Sequence, residues 1–187
     1  MNRYRFVSTA DTIDQPRPGA PGASLRVRTR WLFRRDMPDV LGIETESFEF
    51  PWLEEDFIRC FKQCNCIGVV AERGDRVVGF MIYELNKTRI HVLNFAVAAG
   101  ERRFGVGTRM VAELIGKLSM QRRSRITLEI RETNLAGLLF FRKQGFYAVS
   151  VLWNFYADTP DDAYLMVYQY RKEAVDSGLA CEREGVR

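Results

Sequence analysis

The stretch Gly100–Met110, GERRFGVGTRM, decides how the rest of the chain is read. Before it lies a β-rich apolar run, Ile90–Val97; after it, Val106, Met110, Val111, Leu114, Ile115 and Leu118 recur at helical spacing. A strand therefore passes into a helix through a turn that carries Gly105 and Gly107. Glycine lets the backbone turn tightly and approach a ligand, and the helix start presents unpaired N–H groups and the positive end of its dipole. The turn is either an anion site, suited to a diphosphate with Arg102 and Arg103 adding charge, or a packing device, because Gly-rich strand-to-helix turns also serve packing alone. No Gly-Lys-Ser/Thr follows, which excludes a P-loop, and the glycine order is not that of a dinucleotide-binding fingerprint.

Working outward, the pattern predicts a strand over Leu25–Phe33, a helix after Met37-Pro38 and a helix over Leu53–Gln63. Cys66–Glu72 and Val77–Leu85 flank the turn Arg73-Gly74-Asp75-Arg76 as a hairpin. The helix after the glycine turn is expected to run from Gly105 to Met120. Arg125–Arg131 alternates, with Ile126, Leu128 and Ile130 on one face and Thr127, Glu129 and Arg131 on the other. A helix over Asn134–Gln144 is stopped by Gly145, and strands over Phe146–Phe155 and Ala163–Tyr170 close the pattern. The result is one mixed α/β domain over 25–172, between a flexible Pro/Gly/Ala-rich leader (1–24, with QPRPGAPGAS at its end) and a charged tail (173–187).

Arg102-Arg103-Phe104-Gly105-Val106-Gly107 resembles the Arg/Gln-x-x-Gly-x-Gly/Ala hallmark of the GNAT N-acetyltransferases, which stands at the same strand-to-helix junction. FPW at Phe50–Trp52, LNFAV at Leu93–Val97, LEIRETN at Leu128–Asn134 and FRKQGF at Phe141–Phe146 extend the likeness, and the combination resembles the ribosomal-protein-alanine (RimI-like) subfamily. The resemblance implies a central, mostly antiparallel sheet of about seven strands flanked by about four helices, with the fourth and fifth strands splayed. It also implies acetyl-CoA as cofactor. The pantetheine arm would pair with the backbone of Phe95, Ala96 and Val97, and the diphosphate would meet N–H groups from Arg103 to Thr108, a stretch that includes Phe104, Gly105, Val106 and Gly107. Asn134 would hydrogen-bond the pantetheine arm, although an N-cap for the helix it opens is an equal reading and both roles can coexist.

From alternation alone Glu129 reads first as a partner for a neighbouring arginine; the resemblance reverses this, since Glu129 matches the family's general base. Phe141 stands where the subfamily carries a tyrosine credited with protonating the departing thiolate, so that role is open, with Tyr156 or Tyr147 as substitutes. The acceptor is expected between Glu46–Trp52 and Phe155–Asp162, with Glu46, Glu49, Phe50, Trp52, Phe155 and Tyr156 as contacts. This mixture of aromatics and carboxylates suits a protonated amine followed by basic residues; a solvated acidic face is the alternative.

Composition excludes other classes. The chain has 187 residues, 47% of them apolar, enough for a sizeable core. No apolar run reaches the roughly 20 residues of a membrane span and no signal peptide is evident, so a cytoplasmic protein with no membrane partner is expected. Cys60, Cys64 and Cys66 lack a second knuckle and the single histidine, His91, is distant, so no metal is expected and His91 is read as structural. A net charge of +4 does not demand nucleic acid. The charges are segregated: acidic residues from Asp36 to Asp56 stand without Lys or Arg, while Arg102, Arg103, Arg109, Arg122, Arg123 and Arg125 crowd the middle. A basic protein N-terminus, such as that of a ribosomal protein, is the expected partner, and transfer of acetyl to its terminal alanine the expected reaction; another amine, or a non-catalytic acyl-CoA-binding module, is the alternative.

Overall fold

The structure is a computed structural model and describes residues 26–170 apart from Asp158; the leader at 1–24 and the tail at 173–187 lie outside the described residues. In chain order the elements are β1 (Arg28–Trp31), α1 (Met37–Ser47), α2 (Glu54–Phe61), β2 (Cys66–Arg73), β3 (Arg76–Leu85), β4 (Arg89–Val97), α3 (Val106–Ile115), β5 (Arg125–Arg131), α4 (Leu135–Lys143), β6 (Tyr147–Leu152) and β7 (Ala163–Gln169). The strands form a seven-stranded sheet in the order β1-β2-β3-β4-β5-β7-β6. Only β4 and β5 pair in parallel, which requires the crossover that α3 supplies.

Both faces of the sheet are covered. On one, Tyr83, Ile90, Val92, Phe95, Ile126, Leu128 and Ile130 pack with Val106, Met110, Val111 and Leu114 of α3 and with Phe141 of α4. On the other, Val70, Phe80, Ile82, Leu93 and Ala96 pack with Val40, Ile43, Trp52 and Phe57. Each of these large apolar side chains contributes about 1.5–3 kcal/mol of burial free energy. The edge of the second layer is tied by Asp36, which is buried, accepts from Arg30 at 2.6 Å and takes the Phe33 amide at 2.8 Å.

The feature that builds the site is the parting of β4 from β5. Their pairing covers only Arg89–His91 against Arg125–Thr127, whereas β5 pairs with β7 along its whole length. Opposite β3 the register passes from Tyr83↔Val92 to Ile82↔Asn94, leaving Leu93 as a bulge. A bulge bends its strand and increases its twist, and here it carries the rest of β4 away from β5. From Val92 to Val97 one edge of β4 thus has no strand partner among the described residues.

Helix α3, the last hairpin and β1 are each shorter than the sequence pattern implies. Helix α3 ends at Ile115 rather than Met120: after Gly116 the chain tightens, Leu118 N bonding Ile115 O, and Leu118 returns to the core from this turn. Helical apolar spacing therefore outlasted the helix. The last hairpin loses its expected strand residues beyond Leu152 because Asn154 takes φ +45° and its amide bonds the Asp162 carboxylate. β1 begins at Arg28 and stops at Trp31.

Candidate active site

The turn between β4 and α3 is held in an uncommon conformation. Arg103 has φ +67° and Gly105 φ +81°, both left-handed, and α3 begins directly after them. Left-handed backbone costs a non-glycine residue about 1–3 kcal/mol, and alternating turns of this kind aim successive N–H groups at one point. The two glycines have different tasks. A Cβ on Gly105 would meet nothing within 4 Å, so its requirement is conformational; one on Gly107 would stand 3.1 Å from the tip of the Phe140 ring, so its requirement is close packing. The packing reading of the motif is thus met at Gly107, while Gly105 serves the left-handed turn.

Arg103, Phe104 and Thr108 lie on the exterior of this turn. Arg102 does not: its Nε donates to the Val97 carbonyl at 2.9 Å and its Nη2 to Ser47 Oγ at 3.0 Å. Its guanidinium braces the end of β4 against α1, so of the two arginines read as adding charge to the turn only Arg103 stands exposed on it. The open edge of β4 leads into this left-handed turn at the start of α3.

Asn134 is buried, and its Oδ1 accepts from Gly137 N at 2.9 Å, so the N-cap role is present. Phe141 is 3% exposed and packs edge-on against Phe95, Phe140 and Phe146. Tyr147, one of the two substitutes weighed for its missing hydroxyl, is half exposed on the edge strand β6.

On the α1 side of the sheet the alternation of β4 and β5 brings together the polar residues of otherwise apolar strands. Ile90 and Val92 face α3, so His91 faces the other way, as do Thr127, Glu129 and Arg131. His91 Nε2 lies 3.3 Å from Glu129 Oε2, and His91 Nδ1 lies 2.9 Å from Thr127 Oγ1. Burial dominates both titrations. It pushes the Glu129 carboxyl up to about 7, against a smaller opposing pull from Arg89, and holds the His91 imidazole down at about 4. Above pH 7 the pair is thus a neutral imidazole beside a carboxylate, with Thr127 on the far side of the ring. From sequence alone His91 reads as structural; the structure adds its contact with Glu129. The available signal was its position as a lone polar residue between Ile90 and Val92, matched by Glu129 between Leu128 and Ile130.

Arg131 joins the two loops expected to hold the acceptor. Its guanidinium sits 5.6 Å from the Phe50 ring and 3.8 Å from the Tyr156 ring, and it donates to Asp161 and Thr159. Hydrogen bonding to Arg131 holds the Asp161 carboxyl below the usual carboxylate range. Phe155 stands edge-on to Tyr156 at 5.2 Å. Glu46 and Glu49 are exposed, whereas Trp52 turns inward, 5.1 Å from Phe57 in the α1–α2 core. As a core residue Trp52 supports the loop from beneath, which corrects its reading as an acceptor contact. The acidic run is likewise divided: Asp36 and Glu44 are buried, and only the remainder can face a partner.

Residues 37–146 match the acetyltransferase (GNAT) family. The chain belongs to the GNAT family. It is 26% identical over 137 residues to the ribosomal protein bS18-alanine N-acetyltransferase of Salmonella typhimurium, covering 72% of this chain and 92% of that one. It is 30% identical over 158 residues to an N-alpha-acetyltransferase of Sulfurisphaera tokodaii, covering 78% and 93%. The crystal structure of the ribosomal-protein-S18-alanine N-acetyltransferase from Escherichia coli superposes with a TM-score of 0.70 at 22% identity, over 81% of this chain and 98% of that one. This GNAT protein is an N-acetyltransferase that uses acetyl-CoA. No helix among its described residues is long and apolar enough to cross a membrane.

Proposed function

We propose that this GNAT enzyme acetylates the N-terminal α-amine of a protein, with Glu129 as general base. The observation that carries the reading is the burial of Glu129 beside His91 where β4 and β5 part, which places its carboxyl near 7. A model-peptide glutamate near 4.3 would accept a proton from an α-ammonium near 7.7–8.0 only steeply uphill; at about 7 the two are closely matched. A lysine near 10.4 remains mismatched, and this favours an N-terminus over a side-chain amine. His91, neutral across the working range, holds the base carboxylate through its Nε2–H and is itself held by Thr127. Acetyl-CoA, when bound, supplies the activated thioester. Phe95, Ala96 and Val97 would line its pantetheine arm with Asn134, and the N–H groups of Arg103–Thr108 would hold its diphosphate.

The acceptor would enter between the Phe50 and Tyr156 loops, with Phe155 at the rim and Glu46 and Glu49 drawing in basic residues that follow the amine. Relatives named for ribosomal protein bS18 motivate a ribosomal N-terminal alanine as the substrate. The test is a peptide with N-terminal alanine and a basic continuation, incubated with enzyme and acetyl-CoA and read by mass spectrometry. Acetylation at the α-amine, with a KM that rises with salt as the exposed charges are screened over about 8–10 Å, is the expected result. Acetylation of lysine only, or of a polyamine in preference, would refute the reading.

The leaving thiolate, whose acid titrates near 8.5, departs without a strong acid, so Phe141 is compatible with turnover. Phe141→Tyr is expected to raise turnover while lowering the melting temperature of the free enzyme, since a buried hydroxyl without a partner costs about 1–3 kcal/mol. Loss of stability with no kinetic gain would remove position 141 from the leaving-group chemistry.

A further inference from the structure

Glu44 is an acidic residue with 1% exposure, placed on α1. Its Oε1 accepts from the Trp52 backbone N–H at 2.8 Å, and both its oxygens accept from Asn94 Nδ2 at 3.1 Å. Trp52 closes the loop that carries Phe50 under the Arg131 guanidinium. Asn94 follows the Leu93 bulge, on the part of β4 that has left β5. The bulge is what aims Asn94 at α1: Val92 and Phe95 face α3, while Leu93 and Asn94 both turn to the opposite side. One carboxylate therefore spans from the acceptor loop to the open strand.

A purely structural need would not call for a buried acid here. Burying a carboxylate is costly, and an apolar side chain would fill the same space with no desolvation penalty. What an apolar residue lacks is the ability to accept from two separate elements at once and so fix their separation.

We propose that Glu44 is a positioning residue for acetyl transfer: its carboxylate ties the acceptor loop at Trp52 to the bulged strand at Asn94 and thereby sets where the acceptor amine meets the acetyl-bearing edge of β4. The proposal rests on the acceptor-loop assignment made above. It makes Asn94 the second half of the device. Asn94 Oδ1 has no hydrogen-bond partner among the described residues, so the amide is free to turn over and accept from a glutamine at position 44.

The test compares Glu44→Ala with Glu44→Gln. Glutamine preserves the tie, accepting from Trp52 N–H and donating to Asn94 Oδ1; alanine removes it. In Glu44→Ala, amide hydrogen exchange over residues 48–53 is expected to quicken by about tenfold or more, and the peptide KM to rise by about the same factor, with acetyl-CoA affinity within about threefold of wild type. Glu44→Gln is expected to restore both readouts. Unchanged exchange and KM in Glu44→Ala, an equal loss of acetyl-CoA affinity, or a glutamine variant as impaired as the alanine would each overturn the proposal. If Glu44→Ala does not fold, Asn94→Ala removes one end of the tie and must raise both exchange over 48–53 and peptide KM; otherwise the tie is refuted. Failure of the wild-type enzyme to acetylate any peptide N-terminus would defeat the functional reading, and the exchange measurement, which needs no acceptor, would still decide the tie.

Discussion

Glu129→Gln should lower turnover by about 10²–10⁴ at pH 8 and, at the same pH, raise the melting temperature by several degrees. The two effects have one cause. Burial keeps the Glu129 carboxyl protonated to about pH 7 in the folded chain, while the unfolded chain releases that proton near 4.5. Between those values the folded state binds the extra proton, so stability contributed by this group falls as pH rises and stays reduced above 7. Glutamine has no proton to lose and escapes the penalty, but it cannot accept one from the acceptor. In the wild type, kcat/KM should fall below about pH 7 as the base becomes protonated; in Glu129→Gln that limb should move up to the acceptor amine's own range, about 7.7–8.0. A variant with near-normal turnover, or one that keeps the same acid limb, would return Glu129 to a structural role.

Gly105→Val is expected to raise the acetyl-CoA dissociation constant by about tenfold or more with only a modest change in melting temperature. Nothing stands within 4 Å of a Cβ at this position, so no clash in the core is involved. The effect is local: at φ +81° a β-branched residue is strongly disfavoured, and the turn must relax to a conformation that no longer gathers the N–H groups at the start of α3. Gly107→Ala supplies the contrast. Its Cβ would press on Phe140 at 3.1 Å, so stability should suffer along with affinity. Titration calorimetry beside thermal melting separates the two glycines; unchanged coenzyme affinity in Gly105→Val would mean that the turn is not the phosphate site.

These two residues also mark how far sequence reasoning carried. The Gly105-Val106-Gly107 pattern between an apolar run and an amphipathic segment was enough to place a strand, a turn and a helix, because local conformational preference and periodicity act over a few residues. Alternation in Arg125–Arg131 assigned the two faces of β5 correctly for the same reason. It could not say that the face bearing Glu129 is also covered, nor that the carboxyl titrates near 7, since desolvation depends on what the sheet brings alongside. The same limit applied to Arg102, whose basic neighbourhood suggested an anion while its guanidinium was committed to Val97 and Ser47, 5 and 55 residues away in the chain.

What the sequence by itself determined is the order of elements, the glycine turn and the likeness to acetyltransferases, all of which follow from short-range pattern. What only the tertiary structure decided is the partnership of residues distant in the chain: His91 with Glu129, Arg131 between Phe50 and Tyr156, and Glu44 spanning Trp52 and Asn94. The physical reason lies in the Leu93 bulge and the three-residue pairing of β4 with β5. Register across a sheet depends on which strands meet and how far they stay together, and it is this long-range choice that opens the edge of β4 and turns buried polar side chains toward one another.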